Sequence, residues 1–372
     1  MYLALREMRF AKTRYTLIMT IMLLVSFLVL FVTGLANGLA YANAASVENM
    51  SANYFVLQQD SNSRFTRSVM SHDQLTAARS VVGDTNATPL RIQMTTVTQG
   101  STTLKTDVTL FAIDMDSWLA PAVVEGSGVS NDSVGHVIVD QKLKDSGFTI
   151  GSPLRDQVTG MTWTISGFVK DESYSHTPVV FMNKQDWQQL KQQSVINGDS
   201  ADQPPINTIA VKANSNQALQ LQKELGDVEV ITKGTAVSAI PGYKEEQGSL
   251  LMMIAFLFVI SAFVLAVFFY VITIQKTSQF GILKAIGTNT GYLARSVFGQ
   301  VLVLSIGSQL ISLLLIKILS MALPESLPFK LDTSTIIFTC SLLVAMSLAG
   351  SLLSVIKVAR TDALDAIGRA AA

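Results

Sequence analysis

The sequence predicts an α-helical membrane protein with four transmembrane helices and a large extracytoplasmic α+β domain between the first and the second. Three observations carry that expectation. Four runs without any Asp, Glu, Lys or Arg lie between Arg14 and Glu48, Glu246 and Lys276, Arg295 and Lys317, and Asp332 and Lys357, and each exceeds the roughly 20 residues that cross a hydrocarbon core. A long polar block separates the first run from the other three. Composition agrees, because 49% of the 372 residues are hydrophobic and only 15% are charged, with a mean hydropathy of +0.39, which is too apolar for an ordinary soluble domain.

The formal net charge of zero conceals a separation. Between Tyr41 and Gly248 there are 22 acidic and 15 basic residues, a balance of −7, while the remainder has 5 acidic and 12 basic, a balance of +7. The basic excess lies beside the apolar runs: Arg6, Arg9, Lys12 and Arg14 before the first, Lys276, Lys284 and Arg295 between the second and third, Lys357, Arg360 and Arg369 around the end of the fourth. Cations flanking a span resist translocation, so both termini are expected in the cytoplasm of a multi-pass cell-membrane protein. The polar block then faces outward.

Taken in order, residues 1–15 are expected to form a cytoplasmic amphipathic helix, with Leu3, Leu5, Met8 and Phe10 toward lipid and the cations toward headgroups. Residues 16–41 are the first transmembrane helix. A cleaved signal peptide is the rival for this run, because Ala40, Ala42 and Ala44 form small-x-small patterns; its apolar core would span about 7–15 residues, and this run is longer, as an anchor requires.

Residues 42–246 form the extracytoplasmic α+β domain. Short strands alternate at Tyr54–Leu57, Thr95–Thr98, Val108–Ile113, His136–Val139 and Met161–Val169, punctuated by Gly, Asn, Asp and Ser. Helical spacing of apolar residues marks Ser71–Val81 and Asn216–Leu225. The polar stretch Asn197–Pro205 reads as a loop or a seam between subdomains, and Gly126-Ser127-Gly128 as a flexible loop.

The remaining elements are a transmembrane helix at 247–275, a cytoplasmic segment at 276–291, a third span at 292–322, an external turn at 323–332, a fourth span at 333–357 and a cytoplasmic tail at 358–372. Cys340, the single cysteine, lies within the fourth run and is expected as a small buried hydrophobe. No disulfide can then staple the external domain, which must be held by burial. The short segment 276–291 exposes Phe280, Ile282, Leu283 and Ile286 beside Lys284. An apolar patch in such a loop calls for a protein partner.

Several function classes fall away. No G-x-x-x-x-G-K-[ST] stretch is present to cradle nucleotide phosphates, so the chain is not expected to bind ATP. The three histidines do not fall in metalloprotease spacing, and no G-x-S-x-G elbow occurs. His72 is expected to begin a helix and His136 to open a strand. The acidic balance of the polar block argues against nucleic acid, whose phosphates need clustered cations.

Phe280-Gly-Ile-Leu-Lys-Ala-Ile-Gly-Thr288 resembles the coupling-helix signature of FtsX-like and MacB-like permeases, the membrane subunits of type VII ABC systems, and Val358–Arg369 resembles their C-terminal segment. The order of one span, a large domain and three spans matches along the whole chain. Leu3–Phe10, Gly34–Leu39, Tyr174–Phe181 and Tyr243–Gly248 narrow the resemblance to haem-exporting permeases of the HrtB kind.

That resemblance implies a homodimer in membrane lipid, served by two copies of a separate ATPase that binds ATP and Mg, with Phe280, Ile282, Leu283, Lys284, Ala285, Ile286, Gly287 and Thr288 as the contact. It implies no enzyme activity, no catalytic residues and no stably bound cofactor, with haem as substrate. Haem is flat and apolar with two propionates, so its site needs apolar walls, a Tyr, His or Met near iron, and a cation. Tyr174, His176, Tyr243, Glu245, Tyr41, Glu48 and Met50 are the candidates for substrate binding, with Tyr174, His176 or Tyr243 reaching iron. Two other readings remain: an exporter of peptides, lipoproteins or antibiotics of the MacB or LolE kind, and an FtsX-like transmitter that moves no solute.

Overall fold

A computed structural model describes residues 12–100, 104–194, 205–275, 277–323 and 327–359. Most of the expected N-terminal amphipathic helix, most of the 197–205 seam and nearly all of the C-terminal tail lie outside the described residues. The chain forms two compact units: a helical one, up to Gly38 and from Gly248 onward, and an α+β one, from Leu39 to Gln247.

The α+β unit is built on β1 (Tyr54–Gln58), α2 (His72–Val82), β2 (Ala87–Gln99), β3 (Lys105–Ala112), β4 (Val123–Gly126), β5 (His136–Asp140), β6 (Pro153–Asp156), β7 (Thr162–Val169), β8 (Ser173–Tyr174), β9 (Thr177–Met182), α3 (Lys184–Ser194), β10 (Thr208–Val211), α4 (Ser215–Glu224), β11 (Val228–Thr232) and α5 (Lys233–Ser238). It also takes in the last turns of α1 (Lys12–Asn49) and the first of α6 (Tyr243–Gln275). The strands run in the order β11-β1-β10-β2-β3-β9-β5-β7-β4, with β6 beside β2 and β7 and β8 beside β9. The pairs β3–β9 and β5–β7 are parallel and the others antiparallel.

Strand β2 joins two halves of the sheet. Its residues Ala87–Leu90 pair with β10 and Arg91–Thr98 with β3. The period of two along each strand sends alternate side chains to opposite faces. On β1, Phe55 and Leu57 enter one cluster with Ala44 and Val47 of α1, while Val56 enters another with Leu75 of α2 and Leu221 of α4. On β3, Phe111 joins the first cluster, and Leu110 and Ala112 join a third with Trp163 and with Trp187 and Leu190 of α3.

Both expected helices begin with capping boxes. Ser71 accepts from the Gln74 backbone N–H and Asn214 from that of Gln217, and each glutamine side chain returns a bond to the cap's own N–H. Of the loop expected at Gly126–Gly128, Gly126 instead closes a strand, while Ser127 and Gly128 are exposed and outside any strand. Gly126 has φ +85° in β4, and a side chain there would overlap the Ser166 carbonyl oxygen.

The helical unit holds α1 as far as Gly38, α6 from Gly248, α7 (Thr277–Ala285), α8 (Thr290–Ala322) and α9 (Thr333–Ala359). Among the described residues, four helices are long and apolar enough to cross a membrane. Beside an apolar cluster of Ile18, Met22, Leu265, Phe269 and Leu304, they pack through small and polar residues, as helices in lipid do when apolar burial offers little drive. Ser312 of α8 donates to the Leu23 carbonyl of α1 at 2.8 Å, and the Tyr15 hydroxyl to Gln300 Oε1 at 3.0 Å. A Cβ at Gly350 of α9 would stand 2.9 Å from Ala266 Cα of α6. Cys340 is half-buried rather than buried, and its carbonyl accepts from Gln309 at 3.2 Å. On α1, Gly34 and Gly38 leave room for the turn Pro328–Leu331: a Cβ at Gly34 would lie 2.5 Å from the Phe329 ring, and one at Gly38 would overlap the Pro328 carbonyl.

Candidate functional site

In the α+β unit, strands β8 and β9 form a hairpin whose two-residue turn is Ser175-His176, with φ +51° and +63°. Two positive φ values are what a type I′ hairpin turn demands, and non-glycine residues held there cost on the order of 1 kcal/mol each. The surroundings supply the restraint. Ser175 N–H donates to the Asn43 carbonyl at 2.8 Å. Glu246 Oε2 accepts from Asn43 Nδ2 at 2.8 Å and from His176 Nε2 at 2.9 Å.

A second grip lies at the other end of the hairpin. Asn49 Nδ2 donates to the Asp171 carbonyl at 2.9 Å, while Asn49 Oδ1 accepts from the Tyr41 hydroxyl at 2.9 Å. The turn of α5 is tied in by Lys233, whose ammonium donates to the carbonyls of Glu48 at 3.0 Å and Met50 at 2.5 Å. Tyr41, Glu48, Met50 and His176 are thus gathered around the last turns of α1 and the β8–β9 hairpin.

Tyr174 and Glu245 stand differently from the sequence expectation. Tyr174 belongs to the domain core: it is 2% exposed, stacked 6.5 Å from Phe65 and edge-on 5.7 Å from Phe111. Burial pushes its phenol above the ordinary range, so it holds its proton and cannot reach a surface iron without leaving the core. Glu245 is exposed, and its neighbour Glu246, one residue on, makes the contacts to His176 and Asn43. Tyr243 is half-buried against the core cluster. The signal for Glu246 lay in helical geometry, since adjacent residues on a helix face directions about 100° apart.

Beside this grip lies a cleft of about 330 Å³ bounded by Asn49, Met50, Trp118, Lys170, Glu172 and Phe181 among others. Glu172 is 9% exposed, and burial pushes its carboxyl up to about 8, with Asp140 and Asp171 adding to the rise and Asn49 opposing it. Behind it, Asp140 is fully buried. Its oxygens accept from the backbone N–H of Lys142 at 2.9 Å and of Glu172 at 2.6 Å, and burial nonetheless raises its carboxyl above the usual range. Sequence reasoning passed over Glu172 and Trp118. A carboxylate in a polar block carries no mark of its burial.

In the helical unit, α7 is the short helix of the 276–291 segment. Phe280 is 4% exposed and packs among Tyr15 and Ile18 of α1, Phe269 of α6 and Leu293 and Val297 of α8. It is an anchor, not the surface contact expected from the sequence. Leu283 is half-buried against the same cluster. Ile282 and Ala285 are exposed, Ile286 is 77% exposed, and the turn that follows the helix includes Gly287 with φ +95°. Lys284 and Thr288 are half-buried. Asn289 then caps α8 by accepting from the Gly291 N–H at 3.0 Å. Among the described residues no group of three or more His, Cys, Asp or Glu is placed to hold a metal ion.

Comparison with known proteins bears on both regions. The FtsX-like permease C-terminal family matches residues 251–363, and the MacB-like periplasmic core domain family matches residues 16–228. The chain is 30% identical over 368 residues to the putative hemin transport system permease protein HrtB of Staphylococcus haemolyticus, covering 99% of each. It is 30% identical over 368 residues to the protein of that name from Staphylococcus epidermidis strain RP62A, again covering 99% of each. It is also 25% identical over 373 residues to an uncharacterized ABC transporter permease of Mycobacterium bovis, covering 98% of this chain and 97% of that one. Among solved structures, the extracellular domain of the noncanonic ABC-type transporter YknZ matches with TM-score 0.36 and 14% identity, over 48% of this chain and 100% of that one.

Proposed function

The chain belongs to the FtsX-like family of ABC transporter permeases with a MacB-like periplasmic core domain, and from that premise we propose that it carries haem, or a similarly amphipathic toxic compound, out of the membrane. The observation that carries the substrate is the likeness to the hemin transport permeases named HrtB, which runs over 99% of the chain. The drive comes from a separate ATPase, two copies of which dock on a homodimer of this permease and bind the ATP and Mg. The termini and α7 face the cytoplasm of a cell membrane, in keeping with the cations at their ends, and the α+β domain faces outward.

The helical unit supports a mechanical role for α7. Ile282, Ala285 and Ile286 form an uncovered apolar face, and Phe280 plugs α7 into α1, α6 and α8 together. A partner that pushes on the exposed face therefore moves three spans through one ring. Packed interfaces of this kind shift as rigid bodies rather than deforming. His176, Tyr41 and the half-buried Tyr243 are the groups of the α+β domain offered to the substrate, while Met50 belongs to its core. Tyr174 supports them from within the core.

The test uses the permease purified with its ATPase in nanodiscs. Haem titration is expected to give a saturable Soret shift and to change ATP turnover, with the shift weakened in His176→Ala. No shift and no change in turnover would sink the haem reading. Ile286→Asp is expected to abolish co-purification or stimulation of the ATPase while the permease stays folded. Normal assembly in that variant would move the contact elsewhere.

A further inference from the structure

Strand β2 buries a charge where its neighbours bury apolar groups. Leu90 and Ile92 enter the cluster that holds Ala44 and Val47 of α1, so the period of two sends Arg91 and Gln93 to the opposite face. On that face Ala87 belongs to the cluster with Leu75 of α2, and Val97 to the cluster with Trp187 of α3. Arg91 and Gln93 lie between the two, where β2 exchanges β10 for β3.

Arg91 is 2% exposed. Its Nε is buried without a hydrogen-bond partner, and among the described residues no carboxylate pairs with the guanidinium. Burial pulls it down to about 10, so it stays charged at neutral pH. A buried charge that meets nothing is costly, and buried polar groups in native proteins are as a rule met by protein, water or a bound ion.

The groups around it add positive charge. His72, half-buried at the start of α2, is held below its ordinary range first by burial and then by the charges of Arg91 and Lys184. Asp73 opposes them least and is exposed. Lys184 is exposed and opens α3 as His72 opens α2, and the first N–H groups of a helix carry partial positive charge. On the other side of Arg91 the Lys191 ammonium is already engaged, donating to Gln93 Oε1 at 2.8 Å and lying 4.7 Å from the Trp187 ring centroid.

We propose that this position between α2 and α3 binds a phosphate dianion, free or as the terminal group of a small phosphomonoester, with two of its oxygens on the Arg91 fork and Lys184 and His72 facing the others. A planar guanidinium presents parallel N–H groups that match a phosphate. Two cations and an imidazole, with no carboxylate paired to Arg91, favour a dianion over a singly charged carboxylate. The inference goes beyond the transport reading and stands on the α+β domain alone, so failure of haem to bind leaves it untouched.

The experiment is calorimetry of the full-length chain in dodecyl maltoside, a detergent without phosphate, with inorganic phosphate, glycerol 3-phosphate and acetate as probes. Inorganic phosphate is expected to bind saturably at pH 7.5, and acetate at least about tenfold more weakly, the size of one lost charged contact. Tighter binding of glycerol 3-phosphate assigns the site to an ester, and equal or weaker binding assigns it to the free ion. Arg91→Met keeps the side chain's length without its charge, so it should lose the phosphate heat and yet melt no lower than the wild type in phosphate-free buffer. Phosphate should raise the melting temperature of the wild type and leave that of Arg91→Met unchanged. Arg91→Lys keeps the charge without the fork and should weaken phosphate by about tenfold; Lys184→Gln, at an exposed position, should weaken it by about threefold. No saturable heat with phosphate, acetate binding as tightly as phosphate, or full affinity in both Arg91 variants would each overturn the proposal.

Discussion

Where the α+β domain hides Phe55, Phe111 and Trp163 and leaves Lys170 and His176 outside, the helical unit hides Ser305, Ser308, Ser312 and Gln300 and turns Leu251, Phe256, Phe263 and Leu310 outward. One chain thus obeys two opposite burial rules. Water around the first unit rewards apolar burial at roughly 25 cal/mol per Å². Lipid around the second gives no such reward, so its helices associate through close backbone approach and hydrogen bonds between helices. The Ser312–Leu23 and Tyr15–Gln300 bonds are of that kind.

The sharpest way to break this comparison is to shorten an apolar side chain in each unit. Phe111 is fully buried between Tyr174 and Phe181, and Phe111→Ala is expected to cost about 3–5 kcal/mol. Leu310 is 63% exposed on α8, and Leu310→Ala should change stability by less than about 0.5 kcal/mol. Thermal unfolding of the full-length protein in nanodiscs measures both. Equal losses would show that Leu310 is covered by protein and that the second rule fails at that face.

A buried carboxyl in the water-facing rule gives the next effect. Glu172 titrates near 8 in the fold against about 4.5 unfolded. The folded state therefore holds a proton that the unfolded chain releases. Its contribution to stability is whole below about 4.5, declines as the pH rises, and is gone above about 8, a loss on the order of a few kcal/mol. Glu172→Gln should flatten that decline in melting temperature between pH 5 and 8. A decline of unchanged slope would mean that other groups carry it.

These contrasts also explain which features could be read from the sequence. Four charge-free runs announce four helices, because a span must be long and apolar whatever its neighbours are. The capped helices α2 and α4 were legible for a local reason as well, the cap and its glutamine being three residues apart. Helix α3 was not, since Lys184–Ser194 is rich in glutamine and Trp187 and Leu190 are its core apolar residues. Tyr174 was misplaced because an aromatic beside a turn looks the same in sequence whether it points to solvent or to Phe65. The division of labour in the 276–291 segment was hidden for the same reason: Phe280 and Ile286 are both apolar, and only packing distinguishes the anchor from the open face. Gly34 and Gly38 could not be read as a notch, because the turn that fills it comes from the other end of the chain.

That notch supplies the last and smallest contrast, this time within the lipid rule itself. Gly38 meets backbone, the Pro328 carbonyl and the Phe329 nitrogen, and Lys330 N–H donates to the Gly34 carbonyl at 3.0 Å one turn earlier. A methyl group at residue 38 has no flexible neighbour to displace, so Gly38→Ala should cost about 1–3 kcal/mol through overpacking. Gly299 on α8 has nothing within 4 Å of the place a Cβ would take. Gly299→Ala should be neutral or stabilising by up to about 1 kcal/mol, the helix preference for alanine. Melting of the two variants side by side separates contact from propensity: if both gain stability, the turn at Pro328–Leu331 does not rest on α1, and close approach is not what fastens it.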